Sequence, residues 1–506
     1  MFNVADYFVD RNLELGRGDR VALFTPQGAT TYRELAVLCN RIGNVLRGLG
    51  ARRGERVLLA LSDGVEFVAT WYAAQKIGAV TAEVYTFLQP KDYRYFLDYT
   101  GARVVIADPV TLDRLREAGT ADRQVLVVGG DDLRDNEHDF AALVAAAPET
   151  LATAPTTRED VAIWKFTTGS TGAPKACVHT AASPIVSHES YGLGVLDIGQ
   201  DDIVLPVPKL FFGYARDLTA LYPFGVGGAG IAFPDRTTPE RVFELIARLR
   251  PTILVNVPTM MSAMLAHPSA PTQDLSSLRL CTSAGEALPA ELHRRWDDMF
   301  GVEVVDGIGS SEAYHIYISN RPGAARQGSC GQVVPGYSAR VVNDDGAEVP
   351  DGEVGTLEVT GGTVALEYFG DKEKSATTYR GDTVHTGDLF SRDDGGFFYY
   401  HGRADDLLKS GGIWVAPSEI EHCLIGHDDV LECGVAGFEV DGLVRPRAYV
   451  VLREGVAPST ELATALREFV RARLAGHKRP HEIRFVTSLP RTTNGKLDRR
   501  ALKDLT

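Results

Sequence analysis

Short apolar runs at 57–61, 80–84, 104–107 and 125–128 mark the first third of the chain, with a helical stretch near 66–76 between the first two. Runs this short, alternating with longer helical segments, predict parallel sheets with helices packed on them. The same rhythm returns at 252–257, at 278–282 with a helix from about Pro289, and at 302–305. Beyond about Arg321 it gives way to short strands with turns such as Asn343-Asp344-Asp345-Gly346, which predict a small antiparallel unit. From Gly402 a third pattern begins. Leu462, Leu466, Phe469, Val470 and Leu474 define one apolar helix face, Ser418 and Glu421 have the spacing of a capping box, and 448–452 reads as a strand. The Ala-rich stretch 141–154 reads as a surface helix and connection, and no internal repeat is seen.

The expected fold is therefore α/β. A large N-terminal domain, 1–401, of helix-covered mixed β-sheets includes a small antiparallel β subdomain at 321–401, and a small α+β C-terminal domain occupies 402–506. A chain of 506 residues exceeds what one hydrophobic core organises, in keeping with more than one domain. Its 52 Lys and Arg against 67 Asp and Glu give a net charge of −15. That balance disfavours unspecific attraction to nucleic acid or to an anionic membrane, so anionic ligands must be met by local positive sites. Six cysteines, Cys39, Cys177, Cys281, Cys330, Cys423 and Cys433, show no CxxC spacing and no clustering with histidine. They read as reduced, mostly buried thiols and not as a zinc or redox site. With no apolar run of about 20 residues and no basic start followed by an apolar core, the expected location is cytoplasmic.

After the apolar stretch 161–166 comes Thr167-Thr168-Gly169-Ser170-Thr171-Gly172-Ala173-Pro174-Lys175. Glycines let backbone N–H groups approach phosphate, and the hydroxyls with Lys175 add donors and charge. The spacing is not that of a Walker loop. This string resembles the phosphate loop of the adenylate-forming superfamily, which includes acyl-CoA synthetases, adenylation domains and luciferases, with Ala176 standing where the family usually has glycine. The likeness extends in order over the whole chain. Gly307-Ile308-Gly309-Ser310-Ser311-Glu312 is similar to the family segment that ends in Thr-Glu, serine replacing threonine. It implies that Ser311 contacts the α-phosphate and that Glu312 helps to hold Mg²⁺, as a hard oxygen ligand suits. Ser283-Ala284-Gly285-Glu286-Ala287 resembles the segment lining the adenine and acyl pockets, with Asp306, Gly307 and Ile308 beside it. Thr386-Gly387-Asp388 matches the position whose aspartate accepts hydrogen bonds from both ribose hydroxyls.

Gly402-Arg403-Ala404-Asp405 through Lys409-Ser410-Gly411-Gly412 is similar to the family's junction between a large and a small mobile domain. The resemblance implies ribose contact for Arg403, a hinge at Asp405, and a thiol channel at Lys409, Ser410, Gly411 and Gly412. Pro490-Arg491-Thr492-Thr493-Asn494-Gly495-Lys496 matches the catalytic lysine loop. The implied substrates are ATP with Mg²⁺, a carboxylic acid and coenzyme A, with no prosthetic group, and the implied assembly is a monomer or homodimer.

Within the superfamily the likeness is to benzoate-CoA and other aryl-CoA ligases. It is carried by Pro208-Lys209-Leu210-Phe211-Phe212-Gly213-Tyr214, by Asp306–Glu312 running on to His315-Ile316-Tyr317-Ile318-Ser319-Asn320-Arg321-Pro322-Gly323, and by Asn3-Val4-Ala5-Asp6-Tyr7-Phe8. By position Gly213, Tyr214, Ala284, Gly285, Ile308, Gly309 and His315 line the acyl pocket. Small residues beside one aromatic wall make a flat slot suited to an aryl ring stacked on Tyr214. Ala215-Arg216-Asp217 departs from the benzoate pattern. Either the two charges satisfy each other, or one reaches a substituted ring. Two readings compete with an aryl-CoA ligase: a stand-alone adenylating enzyme that loads a carrier protein, and a non-catalytic nucleotide-binding protein, against which Lys496, Glu312, Asp388 and the complete phosphate loop argue.

Overall fold

A computed structural model describes residues 2–167, 173–410, 413–440, 443–491 and 497–505, with the backbone alone for 409, 410, 413, 414, 440 and 443. It is mixed α/β: a large N-terminal part built on two helix-covered sheets, an antiparallel sheet after it, and a small C-terminal part. The first sheet has seven strands in the order Glu137–Asp139, Gln124–Val127, Val104–Ala107, Arg56–Ala60, Val80–Glu83, Val161–Thr167, Lys175–Thr180. All pairs are parallel except the last, a hairpin that places Thr167 opposite Lys175. The second has nine strands, with Ile203–Pro206, Ile253–Asn256, Leu280–Ser283 and Val304–Gly309 forming its parallel centre.

Between these sheets lies the helix Val65–Lys76, buried at every residue from Phe67 to Lys76. It is apolar on all sides, as a helix sandwiched between two sheets must be. Its one cation, Lys76, is paired with Asp10 at 2.6 Å. Because strands covered on both faces need no polar alternation, the short apolar runs became strands within two residues of the expected bounds, except that 302–305 is the start of a longer strand, Val304–Gly309.

The antiparallel sheet comprises Tyr337–Val342, Gly355–Gly361, Tyr379–Arg380, Thr383–Arg392 and Phe398–Arg403. At the expected turn Asn343 Oδ1 accepts from the amides of Asp345 and Ala347. The last strand runs through Gly402 to Arg403, and the chain then makes the turn Ala404–Asp406. After it come a two-stranded ribbon, Leu408–Ser410 with Ile413–Val415, and a three-stranded sheet, Val430–Val440, Leu443–Leu452 and Glu482–Phe485, under the helices Pro417–Ile425 and Thr460–Arg471. Leu466 and Val470 are buried there, with Leu462 and Leu474 packed against them.

Ser418 and Glu421 do not form a capping box. Pro417 starts the helix one residue earlier, so Ser418 lies inside the first turn and donates to the carbonyl of His401 at 3.0 Å. Glu421 turns inward, accepting from the Val435 amide at 2.8 Å and from Arg499 at 2.6 Å. The Ala-rich stretch is the helix Phe140–Ala146 with a connection held from outside. Asn40, Asn44 and Arg47 donate side-chain hydrogen bonds to its carbonyls at 148–152. Among the described residues no helix is long and apolar enough to cross a membrane, and no group of three or more His, Cys, Asp or Glu is arranged for a metal ion. All six cysteines are free thiols, and Cys423 alone of them is not buried.

Candidate active site

A cleft of about 1340 Å³ opens where the C-terminal ends of the large-domain strands face the antiparallel sheet and the small C-terminal part. Strand ends of parallel sheets are where such folds gather ligand-binding loops. All seven residues expected to form the acyl pocket, Gly213, Tyr214, Ala284, Gly285, Ile308, Gly309 and His315, line it. So do Thr167, Lys175, Glu286, Ala287, Asp306, Gly307, Ser311, Glu312, Asp388, Arg403 and Asp405. Thr168, Gly169, Ser170, Thr171, Gly172, Gly411, Gly412 and Lys496 lie outside the described residues, and Lys409 and Ser410 are described by backbone only.

The strand Val304–Gly309 pairs antiparallel with Ile316–Ser319, and the turn between them carries Ser311, Glu312 and His315 into the cleft. The turn is tight. A Cβ on Gly309 would sit 2.3 Å from the His315 carbonyl oxygen, and one on Gly307 2.8 Å from that of Ile318, so neither position admits a side chain without backbone movement. Tyr314 holds φ +73°, a left-handed conformation that is strained for a bulky residue. Glu312 accepts from the Tyr368 hydroxyl at 2.7 Å, and His179 Nε2 bonds the Ser311 carbonyl at 2.7 Å. Lys175 pairs with Asp371 at 2.7 Å.

The helix Gly213–Ala220 begins at the cleft wall, where Gly213 and Tyr214 line it. The Tyr214 hydroxyl bonds Thr282 Oγ1 at 2.7 Å, fixing the ring, whose centroid is 5.8 Å from that of His315. His315 is 4% exposed. Burial pulls its pKa down to about 3, so the ring is neutral. Its Nε2 lies 3.3 Å from the Tyr214 carbonyl oxygen, which can only accept. Nε2 therefore carries the proton, and Nδ1 is a bare acceptor with no hydrogen-bond partner among the described residues.

Arg216 and Asp217 are buried and satisfy each other: Arg216 pairs with Asp217 Oδ1 and with Glu83, both at 2.8 Å, over the Trp71 ring. Lys165 completes the group, its Nζ 2.8 Å from Asp217 Oδ2. Burial alone would raise the Asp217 pKa, but Arg216 and then Lys165 hold it at about 2. Two cations and two anions meet here from three places in the sequence. Glu83 and Lys165 were not expected at the site, nor were Tyr368 and Thr259; the only signal was a lysine interrupting the apolar run 161–166.

Asp306 is buried and its pKa is pushed up to about 8, although Ser283 and the Gly307 amide oppose the shift. Asp388 pairs across the antiparallel sheet with Arg403, whose Nη1 reaches Asp388 at 3.2 Å and also the Thr386 carbonyl. Asp405 is exposed in the turn after that strand. Arg491 and Leu497, which flank 492–496, form an isolated antiparallel bridge and both line the cleft. Arg491 lies 2.9 Å from Glu432 and 3.4 Å from Thr259, which in turn donates to Glu286 at 2.6 Å.

Comparison with known proteins agrees with this arrangement. Residues 10–369 match the AMP-binding enzyme family, and 419–496 match the AMP-binding enzyme C-terminal domain. A benzoate–CoA ligase of Thauera aromatica is 40% identical over 99% of this chain and 96% of its own length. A 4-hydroxybenzoate–CoA/benzoate–CoA ligase of Rhodopseudomonas palustris is 38% identical, covering 100% and 94%. The crystal structure of the anthranilate CoA ligase AuaEII in complex with anthranoyl-AMP superposes with a TM-score of 0.95 at 37% identity, covering 99% of this chain and 97% of that one. The match over both parts of the chain, in the order the motifs require, shows that this protein belongs to the AMP-binding enzyme family, the adenylate-forming enzymes, with aryl-CoA ligases as its relatives.

Proposed function

We propose that the protein activates an aromatic carboxylic acid with ATP as its acyl-adenylate, releasing pyrophosphate, and then transfers the acyl group to coenzyme A. A carboxylate is a poor acyl donor, because its leaving group would be oxide; joined to AMP it has a good one. The acid oxygen attacks the α-phosphorus, and the protein contributes positioning and charge. In this reading the loop 167–175 holds the β- and γ-phosphates, Ser311 the α-phosphate, Asp388 and Arg403 the ribose, and Lys496 supplies positive charge where two anions meet. Glu312 fits a Mg²⁺ site: its carboxylate lines the cleft and takes one hydrogen bond from Tyr368, leaving hard oxygen lone pairs for a divalent ion. Such an ion would offset phosphate charge. Gly411 and Gly412 serve the thiol, after rotation of the small domain about Asp405.

The observation that carries the substrate class is the slot lined by Tyr214 and His315 among the small residues Gly213, Ala284, Gly285 and Gly309. A flat ring fits beside Tyr214, so benzoate and its substituted relatives are the preferred acids. CoA-dependent AMP formation over a panel of aromatic and fatty acids tests this. Octanoate turning over more efficiently than every substituted benzoate would refute the aryl slot. Turnover of the acid only when a carrier protein replaces CoA would reassign the acceptor.

A further inference from the structure

The hairpin Val161–Thr167 and Lys175–Thr180, whose tip is the phosphate loop, also grips the turn that bears Ser311 and Glu312. His179 on one strand bonds the Ser311 carbonyl, and Lys165 on the other bonds that of Tyr314 at 2.6 Å. Lys165 Nζ also sits 3.5 Å from the centroid of the Tyr314 ring, a close cation–π contact at a largely buried position on the cleft wall. Room for this ammonium comes from Gly213, where a Cβ would lie 2.5 Å from Nζ. Asp217 anchors it from behind at 2.8 Å. Burial lowers the Lys165 pKa to about 8, opposed by Asp217, so the side chain is charged at neutral pH.

We propose that Lys165 is a positioning residue for adenylation: held by Asp217, it grips the carbonyl and ring of Tyr314, keeps that residue in its left-handed conformation, and so fixes Glu312 and His315 in the cleft. Tyr314 is buried and carries φ +73°, a strain that persists only where the surroundings over-determine it. The turn has other ties. Thr363 donates to the Ala313 carbonyl and the Ala365 amide to that of Glu312. On the strained residue itself the His179 ring packs edge-on at 5.2 Å, while Lys165 grips both carbonyl and ring face and also borders Gly213 of the acyl pocket. One residue on the phosphate-loop hairpin thereby registers the acyl wall against Glu312.

The proposal rests on the reading of Glu312 and His315 given above, so the test separates the two. Lys165→Met, and Lys165→Met combined with Asp217→Asn, are compared with the parent by crystallography, by KM for the aromatic acid, and by the Mg²⁺ concentration at half-maximal rate. The double variant removes both members of the ion pair while the introduced amide oxygen still accepts from Arg216, so it carries the measurements if the single variant fails to fold. We expect Tyr314 to leave the left-handed region in both, and kcat/KM for the acid to fall about 10–100-fold together with a raised Mg²⁺ requirement. A double variant with parental kinetics, or with Tyr314 still at its original φ, overturns the proposal, since relief of buried charge is then all that Lys165 and Asp217 provide for each other. Glu312→Gln is the control. If it leaves the Mg²⁺ requirement unchanged, the reading of Glu312 fails, while crystallography still decides the role of Lys165.

Discussion

Glu312 and Lys496 act, in the proposed mechanism, on the same crowding of negative charge from opposite parts of the chain, and only one of them is needed once the adenylate exists. Lys496→Ala should therefore slow adenylate formation from acid and MgATP by on the order of 10²–10³. The same variant should convert supplied aryl-adenylate and CoA to thioester at close to the parent rate, and an equal loss in both half-reactions would remove the role given to Lys496. Asp306 offers a second residue-scale test through pH. Its folded pKa of about 8 lies above the unfolded value of about 4. The folded chain thus keeps a proton that the unfolded chain loses, so this group's stabilising contribution is complete below about pH 4 and is lost as pH rises towards 8. In melts without ligand, Asp306→Asn, neutral throughout, should gain in Tm relative to the parent as pH goes from 5 to 8. A constant difference would mean that the carboxyl is ionised in the cleft.

At the scale of elements, the turn 310–315 is set by how closely two strands approach. Gly309→Ala places a methyl 2.3 Å from the His315 carbonyl carbon's oxygen and must push the strands apart. It should raise KM for the acid while leaving the affinity for ATP closer to the parent value, as isothermal titration with each ligand would show. Asp405→Pro restricts φ in the turn between the last antiparallel strand and the ribbon. Thioester formation should fall further than adenylation in that variant, and equal losses would indicate a fixed arrangement. The elements themselves were readable because central parallel strands are continuous apolar runs and because glycines, hydroxyls and lysine must stand at fixed spacing to meet phosphate. The ionic group beside Tyr214 was legible only in half. Arg216 and Asp217 stood out, one reading having them satisfy each other, whereas Glu83 and Lys165, far off in the chain, each read as an ordinary charge whose meaning arises only when three elements converge. Ser418 and Glu421 misled for a local reason, since a proline at the next position back is already the first helical residue.

Over the whole molecule, Arg491 of the small C-terminal part reaches Thr259 of the large one, with the flanks of 492–496 in the cleft. In the proposed mechanism this is the arrangement for adenylation and the contact breaks before acyl transfer, so Arg491→Ala should slow adenylation more than thioester formation, read by the two half-reactions separately. Two thiols lie on either side of the boundary between the two parts. Cys330 belongs to the large part and Cys433 to the small one, and both are buried where they border the cleft. Burial should make both slow to react with a thiol reagent, with Cys423, not fully buried, as the baseline. If the small part rotates as proposed, the alkylation rates of Cys330 and Cys433, counted by mass spectrometry, should rise through a turnover cycle, and unchanged rates would count against the rotation.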